Sequence, residues 1–252
     1  MNTITKRYLA VTFAVSWLLW GVVAVASKLG LELLSFASPF GKIMYVLGGI
    51  SPALCEIYLT KKNNSKEEFK RFLKSIINPK HSILVYAYTI AGAIVIQFIP
   101  VLFQLTTIKQ PIYMGIVLIV PMIVGGGIEE IGWRGLLQPE LEKKYPHIIA
   151  AISVGIIWAI WHVPLWFIDG TNQQNINFLW FCINTIMLSF FIGSVTYVSD
   201  SIFMAILAHA AINAFWEVTG VTNEIIPSIL LMFFVIIVTV IIDYIVKKRK
   251  EN

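Results

Sequence analysis

The sequence predicts an all-α, polytopic membrane protein of about eight transmembrane helices. Three observations carry that expectation. First, the 252 residues are 58% hydrophobic and only 13% charged, with a mean hydropathy of +0.79. Soluble chains average about 25% charged and 45–50% apolar, so the excess apolar surface must face lipid. Second, the apolar residues come in long unbroken runs. A membrane-spanning barrel would alternate in blocks of about ten, whereas a spanning helix needs roughly 20 consecutive apolar residues. Third, the cations are distributed unevenly between the ends of these runs, as the positive-inside rule requires of a membrane protein.

Charges, prolines and glycines punctuate eight apolar stretches: 8–28, 41–60, 82–105, 112–138, 148–168, 178–198, 201–218 and 225–246. Lys6 and Arg7 precede the first. Lys61, Lys62, Lys66, Lys70, Arg71, Lys74 and Lys80 fill the one long polar loop. Lys143 and Lys144 separate the fourth from the fifth, and Lys247, Lys248, Arg249 and Lys250 form the tail. Threading eight spans puts these fifteen on one side and leaves Lys28, Lys42 and Lys109 on the other. Both termini are therefore expected in the cytoplasm, with the chain in the cell (plasma) membrane. The Lys6-Arg7 start and Ala24-Val25-Ala26 resemble a cleavable signal peptide; seven further spans favour a retained first helix. The 61–80 loop reads as a short amphipathic helix on the anionic inner leaflet. No internal repeat interrupts the chain, which reads as one transmembrane domain, 1–252. Cys55 and Cys182 lie inside apolar runs, so no disulfide framework or structural zinc cluster is implied. The net charge of +5 follows from the inner-side cations and gives no reason to expect a nucleic-acid partner. Short loops and Ile/Lys/Asn-rich usage point to a bacterium.

Ionisable groups inside spans cost about 2.5–3.5 kcal/mol each on insertion scales, which makes each one a candidate for function. The fourth span holds Glu129, Glu130 and Arg134, the fifth His162, and the seventh His209 with Asn213. Glu130 and Arg134 stand at i,i+4, the geometry of an intrahelical ion pair. His209–Asn213 and Trp158–His162 repeat the spacing. At 1.5 Å per residue, Glu129, His162, His209 and Asn213 lie roughly 15, 21, 12 and 18 Å from the inner ends of their spans, close to one level. Gly125-Gly126-Gly127 removes three side chains just before the glutamates, either for tight packing or for a substrate's approach. Pro121 predicts a kink. The alanines around His209 read as packing. A carboxylate, two imidazoles and a carboxamide around one intramembrane pocket suit hydrolysis, since a carboxylate can take a proton from water and donors can hold an oxyanion.

At these residues the chain resembles the CPBP family, intramembrane proteases that include the type II CAAX prenyl endopeptidases. Glu129-Glu130-Ile131-Gly132-Trp133-Arg134 matches its E-E-x-x-x-R motif. Trp158 to His162 resembles F-x-x-x-H, and His209 to Asn213 resembles H-x-x-x-N, in family order across about residues 112–216. Trp158 departs from the usual Phe and keeps an aromatic. The resemblance implies an eight-helix core and an active site inside the membrane, reached from the cytosol and laterally. It implies that Glu129 and His162 activate water and that His209 and Asn213 stabilise the oxyanion, with Glu130 and Arg134 as structural support. The expected partners are the lipid bilayer and a membrane-embedded or lipidated peptide or protein substrate.

Two other classes compete. A catalytically silent scaffold or bacteriocin-immunity protein would keep the fold but not need the site, and here every motif position except the aromatic is intact. A proton-coupled transporter would show an inverted repeat or paired broken helices, and the sequence has neither. Metal is left open. Glu129, His162 and His209 are the ligand types of a catalytic zinc site, yet a glutamate used as ligand is no longer free as base. The metal-free scheme gives every residue a role, and H-E-x-x-H is absent.

Overall fold

In the computed structural model, which describes residues 3–220 and 222–251, six helices are long and apolar enough to cross a membrane. They are α1 (Thr3–Lys28), α5 (Ile83–Leu102), α10 (His147–Trp161, continued to Phe167 by a 3-10 turn), α11 (Phe178–Ser199), α12 (Ile202–Thr219) and α13 (Ile225–Glu251). The expectation of an all-α polytopic membrane protein holds. Leu18, Leu29, Ile83, Val120, Ile226 and Leu230 are all more than 60% exposed, as side chains meeting lipid must be.

The two remaining stretches depart from the expectation of eight uninterrupted spans. The 41–60 stretch is a pair, α2 (Pro39–Gly49) and α3 (Ser51–Asn63), bent by 53° around Ile50. Gly48, Gly49 and Pro52 weaken the helix at that point. A bend within the bilayer needs other groups to satisfy the freed carbonyls, and α1 supplies them. Ser16 Oγ donates to the Gly48 carbonyl at 2.9 Å and Trp20 Nε1 donates to the Tyr45 carbonyl at 2.9 Å.

The 112–138 stretch is not one helix. It runs as α6 (Met114–Val117), α7 (Ile119–Val124), a 3-10 turn over Gly127–Glu129, α8 (Glu130–Gly132), a π turn over Trp133–Leu137 and α9 (Gln138–Glu142). Pro121 lacks an amide hydrogen, Gly126 takes φ +144, and Pro139 follows the π turn. The broken backbone replaces the regular rise on which the depth comparison was built. Irregular backbone at membrane depth is tolerated only where protein or a cavity covers it, and a π turn is itself a frequent mark of a functional site.

The layers follow from burial. Of the apolar window of α11, 72% is buried, against 17% for α13 and for α5. Helix α11 packs on α10 and α13, while α12 packs on α5, α6 and α7. Ala205, Ala208, Ala210, Ala211 and Ala214 on α12 are all fully buried, which lets the broken segment approach the backbone of α12 closely.

The polar loop forms α4 (Lys66–Ile76), started by a capping box between Ser65 and Glu68. Those hydrogen bonds hold the Glu68 carboxyl below the usual carboxylate range. Lys66, Lys70, Arg71 and Lys74 are exposed, and Phe72 and Ile76 pack on Ala53, Ile131 and Ile206. The expected amphipathic helix is present.

Candidate active site

Glu129, His162, His209 and Asn213 line a single cavity of about 200 Å³. It is walled by Trp20, Tyr45, Trp161, Phe181 and Trp216 among others. Segments from α1, α2, α10, α11 and α12 and from the broken 114–142 stretch all contribute to it.

Glu129 sits at the end of the 3-10 turn, 8% exposed. Its Oε2 accepts hydrogen bonds from two indoles, Trp158 Nε1 at 2.8 Å and Trp133 Nε1 at 3.3 Å. No cation stands four residues after Glu129. Trp133 stands there, and the i,i+4 rule that found Arg134 could have found this donor too. Trp158, the departure from the family motif, does more than fill space. Its N–H fixes one carboxylate oxygen.

His162 caps the end of α10, and its Nδ1 lies 2.8 Å from the Trp158 carbonyl oxygen. A carbonyl only accepts, so Nδ1 carries the hydrogen and Nε2 keeps its lone pair. Trp20, Trp158, Trp161 and Phe181 surround the ring.

His209 Nδ1 lies 2.7 Å from Glu130 Oε1, which turns Nε2 away from Glu130. The expected Glu130–Arg134 pair forms, and the fully buried Glu130 carboxylate bridges it to His209, with Oε2 3.2 Å from Arg134 Nη1 in an ion pair that is not aligned as a hydrogen bond. Arg134 Nη2 donates to the carbonyl and hydroxyl oxygens of Ser189, both at 3.2 Å. Arg134, Glu130 and His209 thus form a buried chain from α11 to the cavity.

Asn213 Nδ2 donates to the Gly125 carbonyl at 3.0 Å, satisfying backbone freed by the break and leaving its second N–H uncommitted there. Gly126 explains why a glycine is required. Its φ of +144 is one that L side chains rarely adopt, and a Cβ would lie 2.5 Å from Asn213 Nδ2 and 2.7 Å from His209 Nε2. Gly127 serves packing instead, because a Cβ there would meet the Ile206 carbonyl at 2.8 Å. At both residues the missing side chain makes room for α12, for its side chains at Gly126 and its backbone at Gly127. One buried carboxylate escaped the sequence reading: Glu56 on α3, 4% exposed, accepts from Thr60 Oγ1 at 2.6 Å and does not line the cavity.

The donor set does not fit a metal ion. Among the described residues, no three His, Cys, Asp or Glu side chains are grouped to hold one.

Residues 111–215 match the family model described as type II CAAX prenyl endopeptidase Rce1-like. The three motif segments all fall inside that match. The chain is also 26% identical to CAAX prenyl protease 2 of Methanococcus maripaludis, over 87% of this chain and 86% of that protein. Both matches support a CAAX-type membrane protease, and the matched residues contain the broken segment, α10, α11 and most of α12.

Proposed function

We propose that the protein is an intramembrane endopeptidase that hydrolyses peptide bonds of membrane-associated or lipidated polypeptides by metal-free activation of water. The observation that carries this is the convergence of Glu129, His162, His209 and Asn213 on one cavity. With Oε2 held by two indoles, Glu129 keeps Oε1 to take a proton from water. The Nε2 lone pair of His162 accepts the water's other hydrogen and orients it. The water oxygen then bonds to the scissile carbonyl carbon. His209 Nε2–H and the second Asn213 N–H, one helical turn apart, receive the resulting oxyanion. Donation from Nε2 while Nδ1 donates to Glu130 requires the His209 ring as an imidazolium, and the Glu130 carboxylate is its counter-ion. When the C–N bond breaks, Glu129 returns its proton to the leaving amine. No step passes through a metal ion.

Glu129→Gln tests the reading. It keeps shape and hydrogen bonding to the indoles but removes basicity, so proteolysis should fall about 10²–10⁴-fold at unchanged protein level. The measurement compares membrane peptides from cells carrying the intact protein and the variant. Equal peptide profiles would remove Glu129 from the base role.

A further inference from the structure

We propose that α4 is a docking surface for anionic phospholipid headgroups, and that the docked helix braces the Arg134–Glu130–His209 chain from outside. The docking does not rest on the peptidase reading; only its effect on turnover does. Nor does it depend on how residues 114–142 cross the membrane, because α4 is tied to the start of α5, itself long and apolar enough to span.

The place of α4 follows from its neighbours. Before it, Tyr58 is exposed, with Lys62 Nζ 5.8 Å from the centre of its ring. Tyrosines and cations gather where membrane meets water. After it, Ile83 and Leu84 open α5 and are both more than three-quarters exposed, which marks where hydrocarbon begins. Tyr86 Oη donates to the Pro79 carbonyl at 2.7 Å and holds the connection against the first turn of α5. A helix between such markers lies at headgroup level.

The outer face of α4 suits an anionic surface. At 100° per residue, Lys66, Lys70, Leu73, Lys74 and Ile77 fall within an arc of about 100°, and all five are exposed. Leu73 and Ile77 can dip between headgroups while the lysines beside them reach phosphate. Arg71, also exposed, adds a guanidinium able to hold one phosphate through two N–H groups. With Lys61, Lys62 and Lys80, seven cations stand in 61–80 against Glu67 and Glu68, and Glu68 is committed to Ser65 in the capping box. Cation clusters of that size beside a span match anionic lipid.

The inner face reaches the site. Phe72 and Ile76 pack on Ala53, Ile131 and Ile206. Ile131 follows Glu130 in α8, and Ile206 stands one turn before His209 on α12. Phe72 also bears on the π turn, where a Cβ on Gly135, next to Arg134, would lie 3.8 Å from its ring. The inner face thus meets sequence neighbours of all three members of the buried chain. Around Glu130 the backbone is a 3-10 turn, three residues of α-helix and a π turn. No long run of helix holds that shape, so packing must. Anchoring α4 at the headgroups steadies the packing.

The test uses the full chain in nanodiscs of phosphatidylcholine, with and without phosphatidylglycerol. In a Cys55→Ala, Cys182→Ala background, Ile77→Cys carries an environment-sensitive fluorophore; Leu73→Cys replaces it should that variant fail to accumulate. Emission should shift to the blue only with phosphatidylglycerol and revert in high salt. It should stay unshifted when Lys66→Gln, Lys70→Gln, Arg71→Gln and Lys74→Gln are combined. A shift indifferent to lipid charge overturns the docking. So does an equal shift when polyglutamate is added to neutral nanodiscs, which would make the partner an acidic polypeptide. Hydrogen exchange reads the brace without a substrate. Phosphatidylglycerol should slow exchange of the backbone amides at 130–137 by at least about fivefold. Phe72→Ala, or Ile76→Ala should the first not fold, should lose that protection and keep the fluorescence shift. Protection missing from the parent, or retained in these variants, overturns the brace. In cells, the fourfold Gln variant should yield about fivefold less of the membrane peptides that disappear in Glu129→Gln; unchanged peptides would overturn the effect on turnover. If no peptide depends on Glu129, the peptidase reading fails, while fluorescence and exchange still decide docking and brace.

Discussion

At the scale of single residues, the site is governed by which atoms are already committed. Arg134 shows this best: it holds Glu130 and Ser189 and is not itself part of the cavity lining. Removing one partner of a buried pair costs about 3–5 kcal/mol, because the other charge is left uncompensated. Arg134→Ala should therefore reduce the folded fraction in detergent, seen as a lower thermal midpoint, as well as turnover. A variant with the parent's midpoint and no activity would move the pair into the chemistry. The arrangement of side chains bears on metal. Among the described residues no three His, Cys, Asp or Glu side chains are grouped to hold an ion, so activity of the purified protein should survive prolonged chelation and dialysis. Stoichiometric zinc, lost together with activity and restored with it, would defeat the metal-free scheme. Sequence spacing was enough to pair Glu130 with Arg134 and to bring His209 beside Asn213, because i,i+4 neighbours share a helix face. It could not show Glu130 reaching His209, a contact across 79 positions that depends on how α8 packs against α12.

At the scale of elements, the sequence was most legible where the chain is most regular. Helices α1, α5, α10, α11, α12 and α13 follow from apolar runs of spanning length. The broken stretch was misread because hydropathy sums composition and ignores backbone. An average over residues 112–138 cannot register that Gly126 needs φ +144 or that a π turn begins at Trp133. Those irregularities set the site: they place Glu129 on a 3-10 turn and bring the backbone at Gly126 against His209 and Asn213. Gly126→Ala should consequently displace both side chains, and misplacement of about 1 Å can reduce rate about 10²-fold. Gly127→Ala should differ in kind, since its Cβ meets the α12 backbone: folded yield falls before the rate per folded molecule does. Comparing turnover per folded molecule in the two variants checks the division. Equal behaviour would mean the triplet is packing throughout.

At the scale of the whole molecule, a polar interior site and an asymmetric charge distribution are two results of the same constraint, that hydrocarbon solvates neither charge nor free backbone. The site meets it by pairing: Glu130 with Arg134 and His209, Glu129 with two indoles, and Asn213 with the Gly125 carbonyl. The ends of the bundle meet it by leaving cations in water, and the membrane potential then makes the side matter, at about 2.3 kcal/mol per charge per 100 mV. If residues 114–142 cross the membrane, fifteen cations stand at one end against three at the other, and the positive-inside rule then places the richer end in the cytoplasm. Reporter domains fused at the C-terminus and inserted at Asn64, in the exposed link between α3 and α4, should hence both read cytoplasmic. The paired design matters, because the two sites are separated by α5, the broken stretch and α10 to α13. Agreement requires an even number of crossings between them, which the chain meets only if residues 114–142 traverse the membrane in pieces. Opposite signals from the two fusions would instead make that stretch re-entrant. It would then return to the side it left, and Glu129 would reach the cavity from the mouth of a loop rather than from within a span.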